Sequence, residues 1–476
     1  MPGKFSLRKF SEINLDDPFF ATLKNDYPGN ASSPSFSVWF KNKAQEGRTA
    51  LVFSDDQGLG AFICIKNENE PIELKGGTLA ACNRVKISTM KIAERFRGQR
   101  LGEGAIGLVL WKWQKSGTDE IYVTAFDKQD LLISQLEKFG FHKAGYNLNG
   151  EGVYIKSRHN IDYSDPYKSF PFINPNFHSS GYLIINDTYH DTMFPYSELK
   201  NNTLQNAVAM NVSNGLSKVY VGAQYSKLPY DVGDPILIYR RYTTGYGKRY
   251  RSCITSFCVV TKIIQAKENW NHLMSFETLL HKIGNKSVFN QEELRQRYSN
   301  DRNLLVIEML YYGYFGEGNN VNMDWLDRNG YWGNTYPALI PLNSTAYTKY
   351  YLRFWLSSCR TSLAVSALRI MRYCPYKKAL SLIFALQIRE SAFVLLTMGL
   401  LSQRIRSTPN SEKIILKASL FQHYALIGAQ RVGGVGVVTQ QFLGIGPAYG
   451  QGLGNFPLPQ VAENQQLRLA VVPAIG

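Results

Sequence analysis

The segment RVKISTMKIAERFRGQRLGEGAIGLVLWKW, residues 84–113, constrains this chain more than any other stretch. Arg84–Ile92 reads as a strand, a turn rich in Gly and Arg follows, and Gly102–Lys115 has the apolar spacing of a helix. A strand that runs through such a turn into a helix prepares a site for an anion. The first amide N–H groups of a helix have no intrahelical acceptor, and the positive end of the helix dipole faces the turn. Gly98, Gly102 and Gly104 let the backbone come close to a ligand, and Arg97 and Arg100 add charge. Ile106, Leu110 and Trp113 would pin the helix to a sheet. A pyrophosphate suits this turn, although nucleotide folds use similar turns and ordinary helix starts also contain glycine.

The flanks supply the sheet. Thr49–Phe53 and Gly60–Lys66 are short apolar strands around the turn SDDQG, and Glu120–Phe126 is β-branched and aromatic. Asp130–Phe139 has helical periodicity ended by Gly140, and Gly152–Lys156 is a last strand. Strands alternating with helices indicate an α/β sheet. At 476 residues the chain has room for roughly two to four domains, and 44% hydrophobic residues suffice for true cores. The segment 157–180, with Pro166, Pro171 and Pro175, reads as a linker.

Beyond it, Tyr182–Asn186, Ser217–Val221, Pro235–Arg240, Cys253–Ile263 and Leu304–Met309 read as strands, with helical stretches at Ser197–Met210 and Gln291–Tyr298. Many short strands joined by turns suggest a small β-barrel carrying helices. From about Thr348 the chain becomes helix-like and apolar. Arg389 and Glu390 argue against a membrane span there, since a mid-membrane charge costs about 2.5–3.5 kcal/mol on insertion scales. From Gly433 a Gly-rich tail reads as flexible.

The net charge of +16 is unevenly placed, with residues 351–476 holding 13 Lys and Arg against three acids. A basic surplus favours nucleic acid or another anionic partner. Six cysteines without metal-ligand spacing indicate neither a zinc site nor a disulfide framework, and no metal is expected. The opening residues lack the uninterrupted apolar core of a secretion signal, which points to a cytoplasmic protein.

With these residues in view, the N-terminal part resembles the GNAT N-acetyltransferase family. Gln99-Arg100-Leu101-Gly102-Glu103-Gly104 fits the family's Gln/Arg-x-x-Gly-x-Gly/Ala signature, and a second register from Arg97 places Arg100 where a glycine is expected. LEKFGF, residues 136–141, resembles the family's helix ending before the last strands. The resemblance covers residues 1–156 and implies acetyl-CoA as cofactor. Its pyrophosphate would lie on Arg97, Gly98, Gln99, Arg100, Leu101, Gly102, Glu103 and Gly104, and its pantetheine beside Met90, Lys91 and Ile92, where two strands splay. An amine acceptor would attack the thioester, a carboxylate would take its proton and a tyrosine would protonate the thiolate. Leu136 stands where that tyrosine is expected. Tyr122, Tyr146 and Tyr154 are other sources of an acid, Tyr146 being the candidate carried forward, and Glu94 is the candidate base.

In the second part, Tyr239–Arg251 holds five cations (Arg240, Arg241, Lys248, Arg249, Arg251), four tyrosines including Tyr242 and Tyr246, and no acid. Cations with stacking tyrosines suit single-stranded RNA, and a solvated hairpin with tyrosines packed across strands fits the same pattern. GDPILIY followed by CITSFCVV, with KVYVGA before them, resembles ASCH domains of the PUA-like group. That resemblance implies RNA or tRNA as a partner. His190 and Asp191 could form a metal or catalytic pair, but as neighbours in TYHDTMFP they read better as ordinary loop residues. The expected fold class is therefore mixed α/β. A GNAT-type domain (1–156) and a linker (157–180) precede an ASCH/PUA-like barrel (181–347), a helical region (348–432) and a Gly-rich tail (433–476). A protein that binds acetyl-CoA or RNA as a regulator, without turnover, is the alternative.

Overall fold

A computed structural model describes residues 5–342, apart from 31–33, 196, 198–210, 224–226, 316–317, 333–337 and 339. Most of the helical stretch expected at Ser197–Met210, and the regions 348–432 and 433–476, lie outside the described residues.

The first sheet is built from β1 (Ser6–Lys9), β2 (Thr49–Asp55), β3 (Gly58–Glu68), β6 (Arg84–Ile92), β7 (Glu120–Ala125), β8 (His142–Tyr146) and β9 (Gly152–Ser157), with a small separate hairpin of β4 (Ile72–Leu74) and β5 (Gly77–Leu79). The order across the sheet is β1-β2-β3-β6-β7-β9-β8, and β6 with β7 is its parallel pair. The turn between β2 and β3 follows the sequence expectation: Asp55 Oδ1 accepts the N–H of Gln57 at 2.9 Å, and Gly58 takes φ +101°. Helices α1 (Ala21–Asp26) and α2 (Phe36–Gln45) bury Phe20, Phe36 and Phe40 with Phe62 of β3 in a small aromatic core. Helix α3 (Leu101–Ser116) crosses from β6 to β7, and α4 (Asp130–Lys138) follows β7.

The second sheet runs β10 (Gly181–Asn186), β12 (Pro235–Arg241), β13 (Cys253–Glu268), β15 (Leu304–Tyr314) and β11 (Ser217–Gly222). Two short strands, β14 (Asn271–His272) and β16 (Val321–Asn322), add to β13. β10 lies parallel to β12, and the other pairs are antiparallel. Where the sequence suggests a barrel, the described strands form an open path ending in β10 and β11, which are not paired with each other. β13 is also longer than the Cys253–Ile263 reading, and β8 has no counterpart among the expected strands. Its sequence HKAGY has neither alternation nor a β-branched residue to reveal it. Around this sheet lie the short helices α5 (Pro166–Ser169), α6 (Asp187–Met193), α7 (Asn211–Asn214), α8 (Lys248–Arg251), α9 (Phe276–Ile283), α10 (Gln291–Asn300) and α11 (Met323–Arg328). No helix among the described residues is long and apolar enough to cross a membrane.

Helix α3 joins the two sheets. Ile106, Leu110 and Trp113 are buried as the spacing predicts, but so are Gly104, Gly107 and Trp111 on another face. Trp111 Nε1 donates to the carbonyl of Tyr312 at 2.7 Å, its ring meets Tyr311 edge-on at 5.5 Å, and one apolar core runs through both sheets. The segment read as a linker is part of this core. Phe170, Phe172 and Ile173 are buried, and the carbonyl of Pro171 accepts from Gln114 Nε2 at 2.7 Å.

Lys156 fastens the same segment. Its side chain is buried, and Nζ donates to the carbonyls of Phe139, Lys168 and Phe170 at 2.6, 2.7 and 2.6 Å. Burial, set against the more distant charge of Asp162, pushes its pKa down to about 7. Three acceptors match the three donors of an ammonium. Lys156→Met keeps the apolar stem and strips all three carbonyls of their donor. Urea denaturation should show a loss of about 3 kcal/mol or more, since each orphaned buried group costs about 1–3 kcal/mol. An unchanged midpoint would contradict this reading of the contact.

Candidate functional site

The site begins where β6 and β7 part. They pair only from Arg84–Ile87 to Glu120–Val123, while β3 stays paired with β6 up to Ile92. From Ser88 onward, β6 therefore has a strand on one side and an open edge toward β7. Met90, Lys91 and Ile92 lie on this edge, half-buried. Lys91 Nζ reaches the hydroxyl of Thr22 and lies 5.2 Å from the ring centre of Phe19, and burial lowers its pKa.

A 3-10 turn, Glu94–Phe96, leads from β6 toward α3. The N–H groups of Arg97 and Gln99 donate to the carbonyls of Glu94 and Phe96 at 2.9 and 3.0 Å, which coils the backbone before the helix. Gly98 takes φ +76°, and neither there nor at Gly102 would an added Cβ meet any atom within 4 Å. Arg100 is the N-cap of α3 at φ 63°, ψ 10°, and no side chain caps the helix. The first-turn amides are thus left to an external acceptor on the side where Gly98 and Gly102 open. A non-glycine residue in this left-handed region costs roughly 1–2 kcal/mol.

The other half of the turn faces the second sheet. The Arg100 guanidinium pairs with Glu103 at 2.9 Å and reaches the carbonyl and hydroxyl of Ser217, while Glu103 Oε1 accepts the Ser217 N–H at 2.9 Å. Burial pushes the Glu103 carboxyl up, but the charges of Arg100 and Lys138 and the Ser217 amide together hold it below its ordinary value. An added Cβ at Gly104 would come within 2.0 Å of the Asn214 carbonyl oxygen, and one at Gly107 within 2.4 Å of Leu216. Leu101 is buried beneath the turn with Phe53. Of the residues expected around a pyrophosphate, Arg97, Gly98 and Gly102 are on the open side, and Arg100, Glu103 and Gly104 are bound up with the second sheet.

The candidate catalytic residues are scattered. Glu94 is exposed on the 3-10 turn. Tyr146 lies on the edge strand β8, where its hydroxyl donates to Asp127 at 2.8 Å and accepts from Lys143 at 2.5 Å. Tyr122 is buried with its hydroxyl on Glu68, Tyr154 is buried, and Leu136 is fully buried in the core. A pair that sequence reasoning missed lies at the end of β7. Glu151 immediately precedes Gly152, which pairs with Ala125 at the end of β7. The hydroxyl of Tyr27 donates to Glu151 Oε1 at 3.2 Å, Asn147 Nδ2 donates to Oε2 at 2.9 Å, and the Tyr27 ring lies 6.0 Å from that of Phe126. Burial first, and then the Glu151 charge, raise the Tyr27 pKa. No local pattern joins residues 124 positions apart.

On the second sheet, the basic segment divides. Arg240 is half-buried and bound to Asp191 at 2.7 and 2.8 Å, and Arg249 holds Asp324 and Asp327, each at 2.7 Å. Arg241 donates to Asn186, and Arg251 to the Tyr242 hydroxyl. Lys248 and Tyr250 are exposed, and Tyr246 is 98% exposed. His190 is in α6 rather than a loop. It is buried, with Nδ1 2.8 Å from Asp191 and Nε2 2.7 Å from Thr255 Oγ1. Among the described residues, His178, Asp231 and Asp234 bring potential metal ligands together, but the Asp234 carboxylate already accepts the N–H groups of His178, Ser179 and Asp231.

No protein-family model matches the chain, and no curated protein matches it in sequence. Among solved structures, a mutant form of the ASCH protein of Zymomonas mobilis is 11% identical, covering 38% of this chain and 95% of its own at a TM-score of 0.24. A GNAT family acetyltransferase of Listeria monocytogenes is 17% identical, covering 32% and 94% at 0.23. The GNAT family N-acetyltransferase YhbS of Escherichia coli, in complex with CoA, is 17% identical, covering 33% and 82% at 0.22. TM-scores this low assign neither a family nor an activity.

The two glycines should separate in experiment. Gly104→Ala drives a methyl into the Asn214 carbonyl and should cost about 1–3 kcal/mol in thermal or chemical unfolding. Gly102→Ala meets open space and, in the first turn of a helix, should be neutral or stabilising by up to about 1 kcal/mol. Equal effects would contradict the division of the turn.

Proposed function

We propose that this chain is an acetyl-CoA-dependent N-acetyltransferase of the GNAT type, with residues 1–156 as the transferase and 181–347 as an ASCH/PUA-like module directing it to RNA or an RNA-associated amine, aminoacyl-tRNA being one such acceptor. The observation that carries this reading is the juxtaposition of the β6–β7 splay with the uncapped first turn of α3. A thioester whose pantetheine arm leads to an internal pyrophosphate fits the pair: the open edge of β6 offers backbone groups to the arm, and the turn offers amides to the phosphates.

Transfer forms a bond from the acceptor nitrogen to the acetyl carbon and breaks the bond from that carbon to sulfur. The amine must lose a proton and the leaving thiolate must gain one. Glu151, ahead of β9 at the end of β7, is the best-placed base, directly or through a water, with Tyr27 beside it to hold the carboxylate. Glu94, exposed on the 3-10 turn, and Tyr146, on the edge strand β8, are the secondary candidates. On the second sheet, the exposed Arg241, Tyr246, Lys248, Tyr250 and Arg251 form the face offered to RNA, with Tyr242 held by Arg251. Arg240 and Arg249 serve the fold through their carboxylates.

Calorimetry with acetyl-CoA, followed by thiol release against amines and charged tRNA, tests the reading. Glu151→Gln should keep cofactor binding and lower kcat by about 10²–10⁴-fold, the usual worth of a general base. Glu94→Gln and Tyr146→Phe should retain most of the activity, and the opposite ranking would move the base. Binding without release from any acceptor would favour the regulatory alternative, consistent with Leu136 at the tyrosine position. Neutralising Arg241, Lys248 and Arg251 together should reduce the slope of log affinity for single-stranded RNA against log salt by about 2. An unchanged slope would remove this face from the interface.

A further inference from the structure

We propose that the second sheet and the helices beside it complete the cofactor turn: Asn285, Asn214 and Ser217 are positioning residues that hold residues 98–103 in the conformation that receives the pyrophosphate. The inference rests on the acetyl-CoA reading above and extends its site to elements more than a hundred residues away.

Two successive peptide groups of the turn are held from outside the first sheet. Asn285 Nδ2, just past α9, donates to the carbonyl of Gly98 at 2.8 Å, and Asn214 Nδ2, at the end of α7, donates to the carbonyl of Gln99 at 3.1 Å. In a trans peptide the N–H points opposite its C=O. Turning the Gln99 carbonyl toward the second sheet therefore turns the Arg100 N–H away from it. The Gln99 N–H is already taken by Phe96, so the geometry of the turn is set on both sides.

The third contact secures the left-handed residue. Arg100 has a side chain where φ 63° favours glycine, and that side chain is tied to Ser217 and Glu103, with Glu103 in turn bound by the Ser217 amide. Close approach is built in from both directions. An added Cβ on Gly104 would strike Asn214, and one on Gly215 would strike the Arg100 guanidinium at 2.3 Å.

Asn285 is exposed, so its replacement can be read without loss of the core. The full chain and its Asn285→Ala variant are compared in calorimetry with CoA and in acetyl-CoA titrations of activity. Loss of one hydrogen bond that orders the turn should raise the CoA Kd and the KM about 3- to 10-fold, with kcat and the apo unfolding temperature unchanged. Ser217→Ala, which removes only the hydroxyl, should act in the same direction. Wild-type binding with both variants at wild-type affinity would overturn this inference and leave the acetyl-CoA reading standing. Failure of the wild type itself to bind CoA would overturn the reading and the inference together. If a variant also unfolds earlier, the kinetic split decides: a loss confined to KM supports the proposal, and a loss in kcat alone overturns it.

Discussion

The enclosure of α3 organises this protein. A helix between sheet and solvent needs one apolar stripe, but here eleven of the sixteen positions are buried, because β6, β7 and their neighbours cover one face and the second sheet covers another. Gly104 and Gly107 make this possible by leaving room for Asn214 and Leu216. Trp111 and Gln114 reach polar partners inside this core, the carbonyls of Tyr312 and Pro171. The segment 157–180 cannot act as a loose tether when Phe170 and Phe172 fill the same core.

This enclosure also fixes the end of the helix. With the body of α3 held on two sides, its N-terminus is fixed beside the open edge of β6, and the amides of its first turn stay uncapped. Glycine in the turn has two separate uses. Gly98 and Gly102 leave the mouth open, while Gly104 admits the neighbouring backbone. Arg100 likewise gives its charge to Glu103 and Ser217 rather than to the mouth of the turn.

The strand, turn and helix of residues 84–116 were legible in the sequence because each has a local signature: alternation, glycine with arginine, and a 3.6-residue apolar period. The strands of the second sheet were legible for the same reason. What escaped is what depends on distance along the chain. Tyr27 and Glu151 meet only because α1 and β9 converge at the end of β7. Arg240 reads as a free cation among tyrosines until α6 brings Asp191 against it. His190 reads as a loop residue until Thr255 and Asp191 bury its ring nitrogens. The second face of α3 was hidden because small residues and a tryptophan carry no partner's address.

The central claim is that the turn before α3 takes the cofactor while held by both sheets, and amide hydrogen exchange with and without CoA tests it most directly. The account predicts that CoA slows exchange in residues 98–104 together with 214–217 and the Asn285 loop, which share hydrogen bonds with the turn. Protection of the turn with no change in those distant segments would contradict it, as would protection confined to any other part of the chain.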